Sequence, residues 1–240
     1  MLPDGWLQPG EDSVNAKDHS LRDFAQDLRS SAAASEWRGN WAMALLYRRP
    51  GVLFALGFAR LGWHPIHITV LAFILALSMP VQAWLWPIWV SPYLVFLAGV
   101  VFQILDCADG TLARRTNQAS DLGGDLDFLV DMAQWFLLYS AIGILADRTL
   151  DTGFAWTTVA VFAAWARLMA RVIRDRLNTS VNDGPTELRL SDYPSLFIGG
   201  ISGLIPFLAL CGGLLHWAVV ALLIYALLDI IEGLAPLARK

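Results

Sequence analysis

The segment LGWHPIHITVLAFILALSMPVQAWLWPIWVSPYLVFLAGVVFQIL, residues 61–105, contains no Asp, Glu, Lys or Arg. It is too long for one membrane-crossing helix, which needs about 20 apolar residues, and suits two. Pro80, Pro87 and Pro92 supply the interruption, placing one helix near 66–86 and a second near 91–112 that continues into a polar end. Trp84, Trp86 and Trp89 stand between the two runs, and indole rings collect where hydrocarbon meets headgroups. Further apolar runs cover 128–146 and 153–173, separated by Asp147-Arg148-Thr149-Leu150-Asp151. The charge-poor stretch 193–228 fits two more helices turning near Gly212, Gly213 and His216.

Composition points the same way. The chain of 240 residues is 56% hydrophobic and 16% charged, where a soluble domain carries about 25% charged residues. Two cysteines, Cys107 and Cys211, offer neither a disulfide framework nor a C-x-x-C motif, and read as small packing residues. A net charge of -4 without a dense Lys/Arg block argues against a nucleic-acid partner. Residues 1–30 lack the apolar core of a cleavable signal peptide.

Six spans put both termini on one side, and the basic residues follow that count. Of 17 Lys and Arg, seven precede the first span, two follow the second, five lie from Arg167 to Arg189 and two end the chain. Arg148 alone falls opposite. The expectation is therefore an all-α integral membrane protein of six transmembrane helices, with cytoplasmic termini. Residues 1–34 form a polar N-terminal segment, 35–62 an amphipathic juxtamembrane helix interrupted at Pro50 and Gly51, and 63–240 the six-helix transmembrane domain. The juxtamembrane stretch mixes Trp, Leu and Phe with Arg38, Arg48, Arg49 and Arg60, which suits a helix on the cytoplasmic membrane face or one packed on the bundle.

From Asp106 the chain reads DCADGTLARRTNQASDLGGDLDFLVD. Carboxylates at the ends of apolar spans mark an ion, proton or substrate site, because an unpaired one in hydrocarbon is costly. Asp106 and Asp109 are i,i+3, and Asp127 and Asp131 are i,i+4, so each pair shares a helix face. Four such acids brought together raise each other's pKa unless cations lie between them. Oxygen-only ligands select hard ions such as magnesium or manganese, and one or two of these also grip a diphosphate. Gly110, Ala113, Gly123 and Gly124 admit a ligand or a helix close to the backbone, and Arg114 offers a phosphate fork.

These residues resemble the CDP-alcohol phosphotransferase signature D-x2-D-G-x2-A-R-x8-G-x3-D-x3-D at every fixed position: Asp106, Asp109, Gly110, Ala113, Arg114, Gly123, Asp127 and Asp131. With the six-span pattern and the amphipathic segment, the resemblance covers residues 35–236. It implies a homodimeric membrane enzyme of phospholipid biosynthesis with a cytoplasm-facing cavity. There a substituted phosphate, phosphatidyl from CDP-diacylglycerol in the commonest version, moves to an alcohol acceptor and CMP leaves. It implies that Asp106, Asp109 and Asp127 are principally ligands of two magnesium or manganese ions. Asp131 would be the general base and share a metal, and Gly110, Ala113, Arg114 and Gly123 would line the CDP pocket. Pro65 and Thr69 resemble the Pro-x-x-x-Thr that borders the nucleotide in relatives, although Pro65 also suits helix initiation.

Arg167, Arg171 and Arg174 fall at i, i+4 and i+7 on the fourth span. They read either as arginines snorkelling to headgroups or as an anion site for a phosphorylated acceptor or the donor lipid phosphate, and Arg189 and Asp192 read either as closing that pocket or as loop surface. Two rival functions stand beside the leading one. A CDP-headgroup enzyme acting on a lipid alcohol would carry the same motif, and an ion-coupled transporter would also place acids in the membrane.

Overall fold

The protein, seen here as a computed structural model, is described over residues 20–29, 40–178 and 200–238, and every regular element among them is helical. Ser20 caps the short helix α1, Leu21–Ala25, its hydroxyl accepting from the Asp23 amide at 3.2 Å. A 3-10 turn, Gln26–Arg29, continues it. Helices α2, Trp41–Leu46, and α3, Arg48–Arg60, meet at Tyr47. The break expected at Pro50 and Gly51 therefore falls earlier. Pro50 sits in the first turn of α3, where a missing amide proton leaves no hydrogen bond unmade. The Tyr47 phenol instead donates to the Gly203 carbonyl at 2.7 Å. Burial pushes its pKa up to about 12, so it stays a donor.

Helix α4, Pro65–Leu85, starts on a proline and buries Ile68, Thr69, Ala72, Ala76, Met79 and Ala83 along one stripe. That spacing is the three-to-four residue period of a helix face. Helix α5 is Ser91–Arg115, and α6, Asp121–Leu150, begins before its apolar run because Ser120 caps it through the Gly123 amide at 3.1 Å. Thirty residues of helix span about 45 Å, more than the hydrocarbon core of about 30 Å requires. Helix α7 is Ala155–Asn178 and α8 is Leu215–Ala238. Ala160, Ala163, Ala164 and Ala170 of α7 are fully buried. Small residues let α7 seat closely between its neighbours. At Gly143 of α6, a methyl group would lie 2.7 Å from the Thr157 backbone.

Five helices are long and apolar enough to cross a membrane: α4, α5, α6, α7 and the stretch Gly212–Leu234. Ahead of the last lies a 3-10 helix, Ile201–Leu210. Ten residues at about 2 Å rise reach only about 20 Å, and the expected fifth span begins outside the described residues. Ile74, Leu77, Leu97, Phe162 and Ile224 point outward, and Trp84, Trp86 and Trp89 are exposed at the turn between α4 and α5.

The far end of the bundle is held by two adjacent residues of α6. The buried Asp147 carboxylate accepts from the Trp156 and Thr157 amides at 2.9 and 2.8 Å and from the Thr152 and Thr157 hydroxyls, both at 2.7 Å. It thereby caps α7. Arg148 donates to the Ala83 and Trp86 carbonyls, closing the C-terminal end of α4.

Candidate active site

The chain reverses between α5 and α6 in five residues, with Asn117 in the left-handed region at φ 54°. Counting 1.5 Å per residue from either side of that reversal places Asp109 and Asp127 both about 9 Å into their helices. Asp106 and Asp131 lie about 14 and 15 Å in. Two acids of one helix thus stand level with two of the other. The side chains agree: Asp109 and Asp127 act on each other's charge, and Asp106 and Asp131 come within hydrogen-bond reach. Both helices pack extensively on α4 and meet each other little, which leaves a gap between the acids.

Thr69 on α4 reaches into this gap and donates to an Asp109 oxygen at 2.6 Å. The Gly110 amide also donates to Asp109, so two donors orient that carboxylate. A cleft with about 590 Å³ of empty space is lined by Pro65, Thr69, Asp109, Gly110, Ala113, Arg114, Gly123 and Asp127 among others. A second, of about 570 Å³, lies toward α2 and α3, bounded by Met43, Arg48, Asp106 and Cys107. The clefts share Asp109, Gly110, Arg114 and Asp127. Gly51 keeps α3 tight against α5 at this level, since a methyl group there would strike the Cys107 side chain at 2.6 Å.

Among the described residues, no three carboxylate, imidazole or thiol groups already converge as a closed ligand cage. The donor set nevertheless fits a hard cation. It is all oxygen, and two carboxylates within hydrogen-bond reach need a proton or a cation between them.

Arg114 is anchored by a residue that sequence reasoning passed over. Asp27, 2% exposed, accepts from Arg114 Nε at 3.1 Å and Nη2 at 2.9 Å. It also accepts from Arg48 Nη2 at 2.9 Å and the Thr111 hydroxyl at 3.2 Å. Burial would raise the Asp27 pKa, but the Arg114 hydrogen bond and the Arg114 and Arg48 charges prevail and hold it below the usual carboxylate value.

The three arginines of α7 separate. Arg167 and Arg174 both pair with Asp229 of α8, and Arg167 lies 4.4 Å from the Trp135 ring centroid and 4.6 Å from that of Tyr225. Arg171 lies over Phe128 at 5.5 Å, and its charge acts on Asp127 and Asp131. At about 100° per residue, Arg167 and Arg174 differ by about 20° around the helix, while Arg171 is turned about 40° from Arg167. Arg189 lies outside the described residues.

The bundle of long apolar helices thus brings four aspartates at two levels beside the Arg114 guanidinium, at the clefts that Asp109, Gly110 and Asp127 line. Residues 63–190, just over half of the chain, match the CDP-alcohol phosphatidyltransferase family, and the chain belongs to it. Over 67 residues it is 40% identical to a CDP-diacylglycerol--glycerol-3-phosphate 3-phosphatidyltransferase of Blochmanniella floridana. That alignment covers 28% of this chain and 35% of the relative, so the likeness spans about a third of the relative's length.

Proposed function

We propose that this protein transfers phosphatidyl from CDP-diacylglycerol to an alcohol acceptor, releasing CMP, as a step of phospholipid biosynthesis. The observation that carries this reading is the pairing of Asp109 with Asp127 and of Asp106 with Asp131 beside the cleft that Gly110 and Arg114 line. Family membership supports a transferase over an ion pathway.

In this reading the diphosphate lies in the shared part of the two clefts, with Arg114 on one phosphate and the small residues Gly110 and Ala113 admitting the cytidine side. Two magnesium or manganese ions on Asp106, Asp109, Asp127 and Asp131 would neutralise charge on the diphosphate and the departing CMP. The acceptor oxygen bonds to the lipid-side phosphorus as the bond from that phosphorus to the CMP oxygen breaks. The hydroxyl proton passes to Asp131, the general base. Thr69 keeps Asp109 turned toward the cleft. Arg171, whose charge already acts on Asp127 and Asp131, is the residue to meet a phosphorylated acceptor, and the relative's name makes glycerol 3-phosphate the first to test.

The same reading includes six spans, a juxtamembrane helix on the cytoplasmic face, termini and active site on that side, and a homodimer. The positive-inside pattern supports the sidedness, and the apolar outward face of α2 and α3, at Leu45, Leu46, Leu53 and Phe54, supports membrane contact.

The test is CMP release by the purified protein in detergent, given CDP-diacylglycerol and a panel of alcohols, with product lipids weighed by mass spectrometry. Chelation should abolish release, and magnesium or manganese should restore it. Full turnover in excess chelator would remove the metals from the scheme, and no CMP with any alcohol would overturn the reading.

A further inference from the structure

We infer that Asp27 is a positioning residue that holds the Arg114 guanidinium toward the phosphate of a CDP-linked donor. This rests on the transferase reading above. A guanidinium presents two edges and a tip to its partners. Asp27 takes the edge formed by Nε and Nη2 with both carboxylate oxygens. Nη1 folds back over Gly110, 3.2 Å from where a methyl group would sit. Gly110 and Arg114 are walls common to the two clefts, so the guanidinium held by Asp27 lies beside the place a diphosphate would occupy.

Asp27 is itself fixed. Its second oxygen also takes Arg48 from α3 and Thr111 from α5, and Arg48 donates to the Asp27 backbone carbonyl at 3.3 Å as well. The N-terminal segment, α3 and α5 thus converge on one buried carboxylate. A carboxylate so fully engaged behaves as a strut. It is a poor plug for a donor phosphate to displace, because leaving would break the buried ion pair with Arg48. Arg114, by contrast, is 40% exposed along its side chain. Without the strut it would lose a two-point tether, and ordering the loosened guanidinium again on each binding event lowers affinity by a factor on the order of 10.

The experiment compares the full-length protein in detergent with Asp27→Asn, Asp27→Glu, Arg114→Lys and the double variant Asp27→Asn/Arg114→Lys. CMP release gives KM for CDP-diacylglycerol and for the acceptor, calorimetric titration gives Kd for CDP, and thermal unfolding reports folding. Asp27→Asn should raise the donor KM and the CDP Kd about 10-fold and leave the acceptor KM within about two-fold. Asp27→Glu, which keeps the charge but moves it by one methylene, should lie between. The double variant should bind donor no worse than Arg114→Lys alone, because both changes break one unit. Unchanged donor binding with a lowered melting temperature would make Asp27 a packing residue only, and tighter donor binding would make it a plug. Additive losses in the double variant would also overturn the inference. Should Asp27→Asn not fold, Asp27→Glu must still raise the CDP Kd several-fold. If the wild type binds CDP but releases no CMP, the proposed reaction fails while the CDP titration still judges Asp27.

Discussion

Asp229 holds two arginines, and replacing it with Asn takes from Arg167 its buried anion while Arg174 keeps the charge of Glu232 nearby. Breaking a buried ion pair from one side costs about 3–5 kcal/mol, because the surviving charge stays desolvated. The two arginines are not equally trapped. Arg174, with 32% of its side chain exposed, can extend toward the headgroups and recover part of the loss. Arg167, at 5%, cannot, and its contacts with Trp135 and Tyr225 are present before and after the change. The expected cost of Asp229→Asn is therefore about 3 kcal/mol, at the lower end of that range. Arg167→Met should cost less, about 1–2 kcal/mol, since Asp229 keeps Arg174 and stays paired. For a chain of this size each kcal/mol shifts the melting temperature by about 2–4 °C, so Asp229→Asn should lower it by about 6–12 °C and Arg167→Met by about 2–8 °C, the smaller shift under the same conditions. Thermal unfolding in one detergent, followed by Trp fluorescence, measures both, with donor and acceptor KM taken on the folded fraction. The reasoning fails if Asp229→Asn melts with the wild type. It also fails if Arg167→Met is the more damaging change. A stable Asp229→Asn variant with a raised acceptor KM would return Arg167 and Arg174 to the acceptor site that the sequence suggested for them.

The other predictions concern the cleft and its supports. Thr69→Val keeps the shape of the side chain but removes the hydrogen bond to Asp109, worth about 1.5–3 kcal/mol to a charged acceptor; kcat/KM for CMP release should fall about 10- to 100-fold with little change in melting temperature. Asp131→Asn should leave CDP binding intact, read by titration, while turnover drops about 100-fold or more; an equal loss of CDP affinity would make Asp131 chiefly a metal ligand. Arg171→Ala should raise the KM of a phosphorylated acceptor about 10-fold and spare the donor KM, with Lys rescuing only partly because it lacks the planar fork; an unchanged acceptor KM removes Arg171 from the site. Asp147→Ala deprives the first turn of α7 of its cap and should cost about 1–2 kcal/mol, seen as a lower melting temperature with normal KM values.

Much of this was legible in the chain because a bilayer punishes charge. Residues 61–105 could hardly be anything but a pair of spans, and four acids at helical spacing inside apolar sequence needed a common purpose. What the sequence did not reveal were single acids whose partners lie far along the chain. Asp27 meets Arg114 across 87 residues, and Asp229 meets Arg167 across 62. A lone Asp in a polar N-terminal segment looks like a solvated charge, and no local pattern announces that an arginine will fold onto it. The basic stripe of α7 divides for a related reason. Heptad-like spacing puts three arginines on roughly one face, but a spread of some tens of degrees sends two toward α8 and one toward the acids. The expected break at Pro50 misplaced the bend because proline is harmless in a first turn, while the tie that fixes the joint runs from Tyr47 to a carbonyl beyond the fourth span.

Asp147 and Arg148 are neighbours, yet each closes the opposite pole of a different helix: the acid at the positive end of α7, the base at the negative end of α4. Three helices are thereby clamped at the end farthest from the four aspartates, so that end acts as the fulcrum and the aspartate end is the tip of the lever. From Leu85 back to Thr69 the arm is about 24 Å. A tilt of about 5° about the clamp therefore moves the Thr69 hydroxyl by about 2 Å, enough to make or break its bond to Asp109, while the tryptophans at the other interface scarcely move.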